Sequence, residues 1–66
     1  MIVSLNGQKK EFSGPLTLKN IVEKFCQSGP QVIAEVNGKI IKKESWDSQE
    51  VKNGDCIELL NLVGGG

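Results

Sequence analysis

Sixty-six residues suffice for one domain, near the lower limit at which a hydrophobic core holds a fold unaided. Eight acidic residues balance eight lysines and arginine is absent, so the chain lacks the basic field and the guanidinium groups typical of nucleic-acid binding. No apolar run approaches the roughly 18 to 20 residues that span a bilayer and no signal peptide opens the chain, so we expect a cytoplasmic protein without a nucleic-acid or membrane partner.

Three Asn-Gly pairs divide the sequence, and the first predicts a β-hairpin near the N-terminus. This dipeptide tolerates the positive φ angles that tight hairpin turns require. The pair at 6–7 joins residues 2–5 to residues 8–12. Alternation along the first of these strands points Val3 and Leu5 to one face of the sheet.

The one predicted helix spans about residues 18–27. Its apolar residues recur at the i, i+3, i+4 and i+7 positions of a single buried stripe, made of Leu18, Ile21, Val22 and Phe25. Thr17 is the predicted N-cap, with Leu16 and Ile21 at the positions of a hydrophobic staple. The sequence Ser-Gly-Pro at 28–30 predicts the stop.

A second hairpin follows, in which the Asn-Gly pair at 37–38 joins residues 32–36 to residues 39–41. Residues 42–48 are predicted to form a connection with room for a short helical turn. Trp46 is the large aromatic side chain in this connection. We expect it to cover one end of the core, because a lone tryptophan makes a poor platform for stacking a ligand.

The third Asn-Gly pair, at 53–54, starts a last strand over residues 56–62. Paired beside the first strand it would run parallel to it, with the helix as the crossover that such pairing needs. The order of elements therefore predicts an α+β fold of the β-grasp type. We expect a mixed sheet of four to five strands with one main helix packed on one face.

The last strand is apolar on both faces. Alternation turns Ile57, Leu59 and Val63 to one side and Cys56, Leu60 and Leu62 to the other. If the first set packs beneath the helix, Leu60 and Leu62 lie on the open face beside Ile33 and Ile2. Isolated surface leucines are common and need no function. The adjoining glycines favour the alternative, in which Leu60 and Leu62 form a patch that docks a partner.

The side chains offer no catalytic or metal-binding set. Cys26 and Cys56 stand 30 positions apart and fit no CxxC or zinc spacing, so we expect two small reduced thiols. The absence of histidine removes the commonest general base and the Cys-His and Ser-His nucleophile pairs. We therefore predict no catalytic residues, no metal, no cofactor and no independent enzyme activity.

The chain ends in three glycines after this apolar strand, and we divide it into a β-grasp domain over residues 1–62 and a tail over residues 63–66. A C-terminal carboxylate reacts only after activation, for example by ATP as an acyl-adenylate that an enzyme shields from water. Glycine passes through a narrow tunnel because it lacks a Cβ and adopts any φ/ψ. Four residues reach about 13 Å. The alternative is that the glycines are idle or an artificial extension.

Four stretches together resemble the ThiS family, the small sulfur carriers of thiamin biosynthesis within the ubiquitin-like β-grasp group. They read "VSLNG", "LTLKNIVEKF", "VIAEVNGKIIKKESW" and "VKNGDCIELLNLVGGG", and cover nearly the whole chain. The shared features are the length, the tryptophan soon after the second hairpin, and the Asn-Gly-Asp turn before the last strand and terminal glycines. One departure is Lys42-Lys43, where many relatives have Pro-Arg.

The resemblance implies that the chain is a co-substrate and that Gly66 carries the reacting carboxylate. An ATP-using adenylating enzyme similar to the ubiquitin-activating enzymes would form an acyl-adenylate there. Sulfur from a cysteine desulfurase or another persulfide donor would then produce a thiocarboxylate, which would pass its sulfur to thiazole synthase. The resemblance also implies that the partner takes in the tail residues Val63, Gly64 and Gly65. It implies that the docking surface contains Leu60 and Leu62.

Three other functions fit the same pattern. The chain could carry sulfur for molybdopterin synthesis or for another sulfur-requiring pathway, although the molybdopterin carriers are usually longer. It could be a ubiquitin-like modifier joined through Gly66 to a lysine of a target. It could also be an interaction module whose tail is inert.

Overall fold

The computed structural model describes residues 1–25 and 32–61 of the chain. Its elements, in chain order, are strands β1 (Ile2–Leu5), β2 (Gln8–Glu11) and β3 (Leu16–Thr17), helix α1 (Leu18–Phe25), strands β4 (Val32–Val36) and β5 (Lys39–Ile41), a 3-10 helix (Lys43–Ser48), and strands β6 (Glu50–Val51) and β7 (Cys56–Asn61). Both predicted hairpins are present, with antiparallel pairing of β1 with β2 and of β4 with β5.

The five longer strands form one mixed sheet in the order β2-β1-β7-β4-β5. Strand β7 lies at its centre, antiparallel to β4 and parallel to β1. The parallel register pairs Ser4 with Cys56 and Leu5 with Ile57. A parallel pair requires a long crossover between its strands, and α1 lies within the segment that connects them. This topology confirms the predicted β-grasp.

The core lies between α1 and one face of the sheet. Its buried side chains come from the sheet, from α1 and from the connection between β5 and β7. They are Val3, Leu5, Leu18, Ile21, Val22, Ala34, Val36, Trp46, Val51, Ile57 and Leu59. Helix α1 supplies Leu18, Ile21 and Val22, as the spacing of its apolar residues predicts. The predicted N-cap is also confirmed: the backbone N–H of Asn20 donates to Thr17 Oγ1 at 3.2 Å.

Phe25 departs from the predicted buried stripe, since 39% of its surface is exposed. It lies at the last position of α1 and packs edge-on against Phe12, with 6.2 Å between the ring centroids. The ammonium group of Lys10 lies 5.7 Å from the Phe25 ring centroid. A period of 3.6 residues predicts the face of a helix but not how far the core extends along it. Residues 26 and 27, at the predicted end of the helix, lie outside the described residues.

The connection between β5 and β7 contains more structure than the sequence predicts. Trp46 lies in the 3-10 helix, is 93% buried (7% exposed), and donates its Nε1–H to the carbonyl oxygen of Ile41 at 2.9 Å. The prediction that it covers one end of the core is confirmed. Strands β3 and β6 pair antiparallel as a second, two-stranded sheet that the sequence did not predict. Within the described part of the chain, no helix has both the length and the apolar character needed to cross a membrane.

Candidate functional site

Strand β7 carries the chain from the centre of the sheet toward its C-terminus. Ile57 and Leu59 are buried against the helix side, with 0% and 6% of their surface exposed, whereas Cys56, Glu58 and Leu60 are exposed on the opposite side. The predicted assignment of the two faces is therefore confirmed for these residues. We call the side away from α1 the open face of the sheet.

Leu60 lies on the open face with 54% of its surface exposed, directly opposite Ile33 of β4. Ile2 is also exposed but does not adjoin Leu60. The parallel register of β1 and β7 sets Ile2 level with residue 54, six residues from Leu60, or about 20 Å at the rise of a strand. The expectation that Ile2 lies beside Leu60 in one patch is therefore wrong.

The other residues predicted for the site follow the end of β7. Leu62, Val63, Gly64, Gly65 and Gly66 lie outside the described residues. Their roles in docking, threading and sulfur transfer, and the division of the chain after residue 62, stay predictions. The last described residue before them is Asn61, where β7 ends.

The side chain of Asn6 extends the hydrogen bonding of β7 beyond the end of β1. Strand β1 ends at Leu5, which is level with Ile57, so this strand has no residue level with Leu59. The backbone N–H of Asn6 donates to the Ile57 carbonyl oxygen at 2.9 Å, and the Leu59 N–H donates to Asn6 Oδ1 at 2.8 Å. The first hairpin turn thereby fixes β7 as far as the residue before Leu60.

The Asn37 turn holds the start of β7 in the same way, and the Asn53 turn, which precedes β7, is joined to the start of β1. Asn37 Oδ1 accepts the backbone N–H of Cys56 at 2.9 Å, and its Nδ2 donates to Asp55 at 3.0 Å. Asn53 Oδ1 accepts the backbone N–H of Ile2 at 2.7 Å. In the sequence these asparagines predict only positive φ, which Asn6 and Asn37 adopt at 50° and 53°. The feature of the sequence that indicates this second role is the side-chain amide of each asparagine, which a glycine at the same position would lack.

The open face also carries charged and apolar residues that no pattern in the sequence singled out. Register pairs Glu35 of β4 with Glu58 of β7, and Ile40 of β5 with Glu35. Ile40 is 62% exposed. Alternation along β4 places Glu35 on the same side as Ile33, but the pairing of the two glutamates follows only from the register of β4 and β7.

Residues 1–25 and 32–61 contain no cluster of His, Cys, Asp and Glu side chains that could hold a metal ion. Cys56 carries a free, exposed thiol, whereas Cys26 lies outside the described residues. What the described part of the open face presents is a set of exposed side chains, among them Ile40, Glu58 and Leu60.

This chain and its architecture are similar to known proteins of one family. The model of the ThiS family matches residues 3–66. The sulfur carrier protein ThiS of Bacillus subtilis (strain 168) is 30% identical over 66 residues, with 98% of this chain and 100% of that protein covered. The crystal structure of the thiamine biosynthesis protein ThiS from Geobacter metallireducens superposes with a TM-score of 0.82 at 31% identity, covering 100% of both chains.

A third relative is much longer than this chain. The thiazole synthase of Paramagnetospirillum magneticum (strain ATCC 700264 / AMB-1) is 29% identical over 66 residues. The match covers 100% of this chain but only 20% of that protein.

Proposed function

Because the chain belongs to the ThiS family and is a small sulfur carrier protein of thiamin biosynthesis, not a catalyst, we propose that it holds the sulfur as a thiocarboxylate on Gly66. The observation that carries this proposal is that the family match runs to the last residue and so includes all three terminal glycines. The position of β7 adds support, since the central strand of the sheet ends at Asn61, five residues before Gly66.

In the proposed chemistry the carboxyl group of Gly66 reacts twice, first as a nucleophile and then as an electrophile. A carboxylate oxygen attacks the α-phosphorus of ATP on an adenylating enzyme, which releases pyrophosphate and leaves an acyl-adenylate. The terminal sulfur of a persulfide, supplied by a cysteine desulfurase or another donor, then displaces AMP. A thiol reduces the resulting acyl disulfide and leaves the thiocarboxylate. The chain itself supplies the acyl group, and the partner enzymes supply the catalytic groups.

The residues around Gly66 suit this use because they offer little steric hindrance. An acyl-adenylate survives only where water is excluded, so the partner's active site must close around the chain end. Val63 is followed by glycine alone, and glycine fits a narrow passage in any backbone conformation. We propose that Gly64 and Gly65 thread through this passage while the domain stays outside.

Thiazole synthase is the proposed acceptor of the sulfur. In Paramagnetospirillum magneticum, a segment similar to the whole of this chain lies within a protein named thiazole synthase. Joining two activities in one polypeptide raises their effective concentration and suits a carrier that must meet its acceptor in every cycle. This arrangement supports thiazole synthase over a molybdopterin synthase as the acceptor for the separate chain.

The proposal is tested by the intact mass of the chain after incubation with the adenylating enzyme, ATP and a persulfide donor. We expect a gain equal to the mass difference between sulfur and oxygen, located at Gly66 by fragmentation. The control is the chain without Gly66, which has the same domain and a carboxylate about 3.3 Å short of the partner's active site. We expect this shortened chain to keep its melting temperature and to gain no sulfur.

Three results would contradict the proposal. The first is a wild-type chain that gains no sulfur, and the second is a gain that fragmentation places away from Gly66. The third is a thiocarboxylate form that passes its sulfur to a molybdopterin synthase subunit but not to thiazole synthase. Thiol-resistant adducts between Gly66 and lysines of other proteins would instead favour a protein modifier.

A further inference from the structure

The three Asn-Gly pairs are alike in sequence but differ in the hydrogen bonds of their turns. In such a pair the backbone nitrogen of the glycine can attack the side-chain amide of the asparagine, since glycine has no side chain to hinder the approach. The Gly54 N–H is engaged, because it donates to the Ile2 carbonyl oxygen at 2.8 Å. Asn6 Oδ1 lies in a partly buried hydrogen bond with the Leu59 N–H. The fold therefore opposes this reaction at both of these pairs.

The pair at 37–38 has neither form of protection. Gly38 is exposed, and its N–H has no backbone partner among residues 1–25 and 32–61. A Cβ built on Gly38 would meet no atom within 4 Å, so the space around the turn is open. The two side-chain hydrogen bonds of Asn37 are exposed as well. The attacking nitrogen and the amide that it attacks are both accessible on this turn.

Asn37 also differs from the other two asparagines in using its amide nitrogen. Its Nδ2 donates to Asp55 Oδ1 at 3.0 Å, while its Oδ1 accepts the Cys56 N–H at 2.9 Å. The side-chain bonds that Asn6 and Asn53 make within the described part of the chain use Oδ1 alone. An ionised aspartate offers acceptors but no donor, so it can replace these two asparagines but not Asn37.

We propose that Asn37 is a site of spontaneous deamidation and that the resulting aspartate weakens the start of β7. The Gly38 nitrogen gives its proton to a base in the solvent and forms a bond to Cγ of Asn37. The bond from Cγ to Nδ2 breaks, and ammonia leaves with a proton taken from water. The product is a five-membered cyclic imide, which water opens to a carboxylate. No oxidation or reduction takes place.

The imide opens in two ways, and both products disturb the turn. Hydrolysis at one carbonyl gives an ordinary aspartate, whose carboxylate takes the place of an amide nitrogen 3.0 Å from Asp55 Oδ1. The hydrogen bond is then lost, and two carboxylates repel each other. Hydrolysis at the other carbonyl carries the main chain through the former side chain, which lengthens a tight two-residue turn by one carbon atom.

Asp55 links this turn to the sheet. Its Oδ2 accepts the Lys52 N–H at 2.8 Å, and its carbonyl oxygen accepts the Ser4 N–H at 2.9 Å. The partners of its carboxylate are thus a side-chain amide and a backbone N–H, and neither carries a charge. Repulsion at Asp55 therefore acts on the turn before β7 and on the pairing of β7 with β1. The deamidated chain is a less stable form that accumulates with time.

The reaction is measured at each Asn-Gly pair by peptide mass spectrometry of the full wild-type chain during incubation at mildly alkaline pH. We expect the mass change from amide to acid to appear severalfold faster at Asn37 than at Asn6 or Asn53. The reference is the same chain unfolded in urea. There the three rates should approach one another, because the protection comes from the fold.

Aspartate variants test the consequence for stability. Asn37→Asp should lower the melting temperature by about 5 to 15 °C, because a hydrogen bond becomes a repulsion. Asn6→Asp and Asn53→Asp are matched controls that keep the acceptor oxygen, and should change the melting temperature by no more than about 4 °C. Combining Asn37→Asp with Asp55→Asn should restore most of the loss, because donor and acceptor exchange places.

The proposal is overturned if Asn37 in the folded chain reacts no faster than Asn6 or Asn53. It is equally overturned if Asn37→Asp is as stable as the two controls, or if adding Asp55→Asn restores nothing. Should Asn37→Asp fail to fold, the double variant and the wild-type time course still give the decision. None of these results depends on the sulfur chemistry proposed for Gly66.

Discussion

Replacing Asn6 by glycine isolates the contribution of a single side-chain acceptor to the end of β7. Asn6 has φ of 50°, a conformation that glycine adopts without strain, so the turn itself can persist. The substitution removes Oδ1, which accepts the backbone N–H of Leu59 at 2.8 Å in a partly buried position. Strand β1 has already ended at Leu5, so no residue of that strand is level with this N–H.

The expected loss follows from the fate of the Leu59 N–H. A buried donor left without a partner costs about 1 to 3 kcal/mol, and partial access to water puts this one at about 1 to 2 kcal/mol. Glycine adds about 0.5 to 1 kcal/mol by increasing the freedom of the unfolded chain. In a domain of this size each kcal/mol lowers the melting temperature by about 4 to 8 °C.

Hydrogen exchange separates the two contributions, and thermal unfolding gives their sum. Loss of the acceptor should speed exchange locally at Leu59 and Leu60, whereas the entropic effect of glycine acts on global unfolding. Asn6→Asp is the matched control, because it keeps an acceptor oxygen and tolerates positive φ. Equal stabilities of the Gly and Asp variants, or exchange that rises evenly along β7, would refute the role assigned to Asn6.

Three further predictions concern the core and the open face. Ile57→Ala should lower the free energy of unfolding in urea by about 2 to 5 kcal/mol, because Ile57 is 0% exposed; a surface-like change would contradict its place in the core. Leu60→Glu should change the free energy of unfolding by no more than about 0.5 kcal/mol while weakening thiazole synthase binding in a titration, and a large stability loss would contradict its exposure. Trp46→Phe should lower the thermal midpoint by the equivalent of about 1 to 3 kcal/mol, because the Ile41 carbonyl oxygen loses its donor; an unchanged midpoint would show that water replaces the indole N–H.

The hairpins and the central strand could be predicted because their residues favour locally the same backbone conformation that the whole sheet requires. The Asn-Gly pairs at 6–7 and 37–38 adopt the positive φ angles for which this dipeptide is suited. Alternation within residues 56–60 correctly separates the buried from the exposed side of β7. A last strand placed beside the first runs parallel to it, and the helix between them supplies the crossover that such pairing needs.

Features that depend on register or on very short elements could not be predicted. Strands β3 and β6 have two residues each, too few for a period of two to appear. The pairing of Glu35 with Glu58 requires knowing which residues of β4 and β7 are opposite, and a shift of one residue would separate them. The bond from Leu59 to Asn6 spans 53 positions and depends on where β1 ends.

The energetics of the proposed tail insertion favour a docking surface on the folded domain. Each residue fixed in one backbone conformation costs about 1 to 2 kcal/mol, and glycine loses the most freedom. The proposed threading of Gly64, Gly65 and Gly66 into an active site would therefore oppose binding by several kcal/mol, and these residues have no side chains to offset it. The open face is already ordered in the sheet, so the contacts we propose for Leu60 would add to affinity with little further ordering. It follows that removing Gly66 should leave docking intact while sulfur transfer stops, and that charge or apolar substitutions on the open face should weaken docking while leaving the carboxylate chemically unchanged.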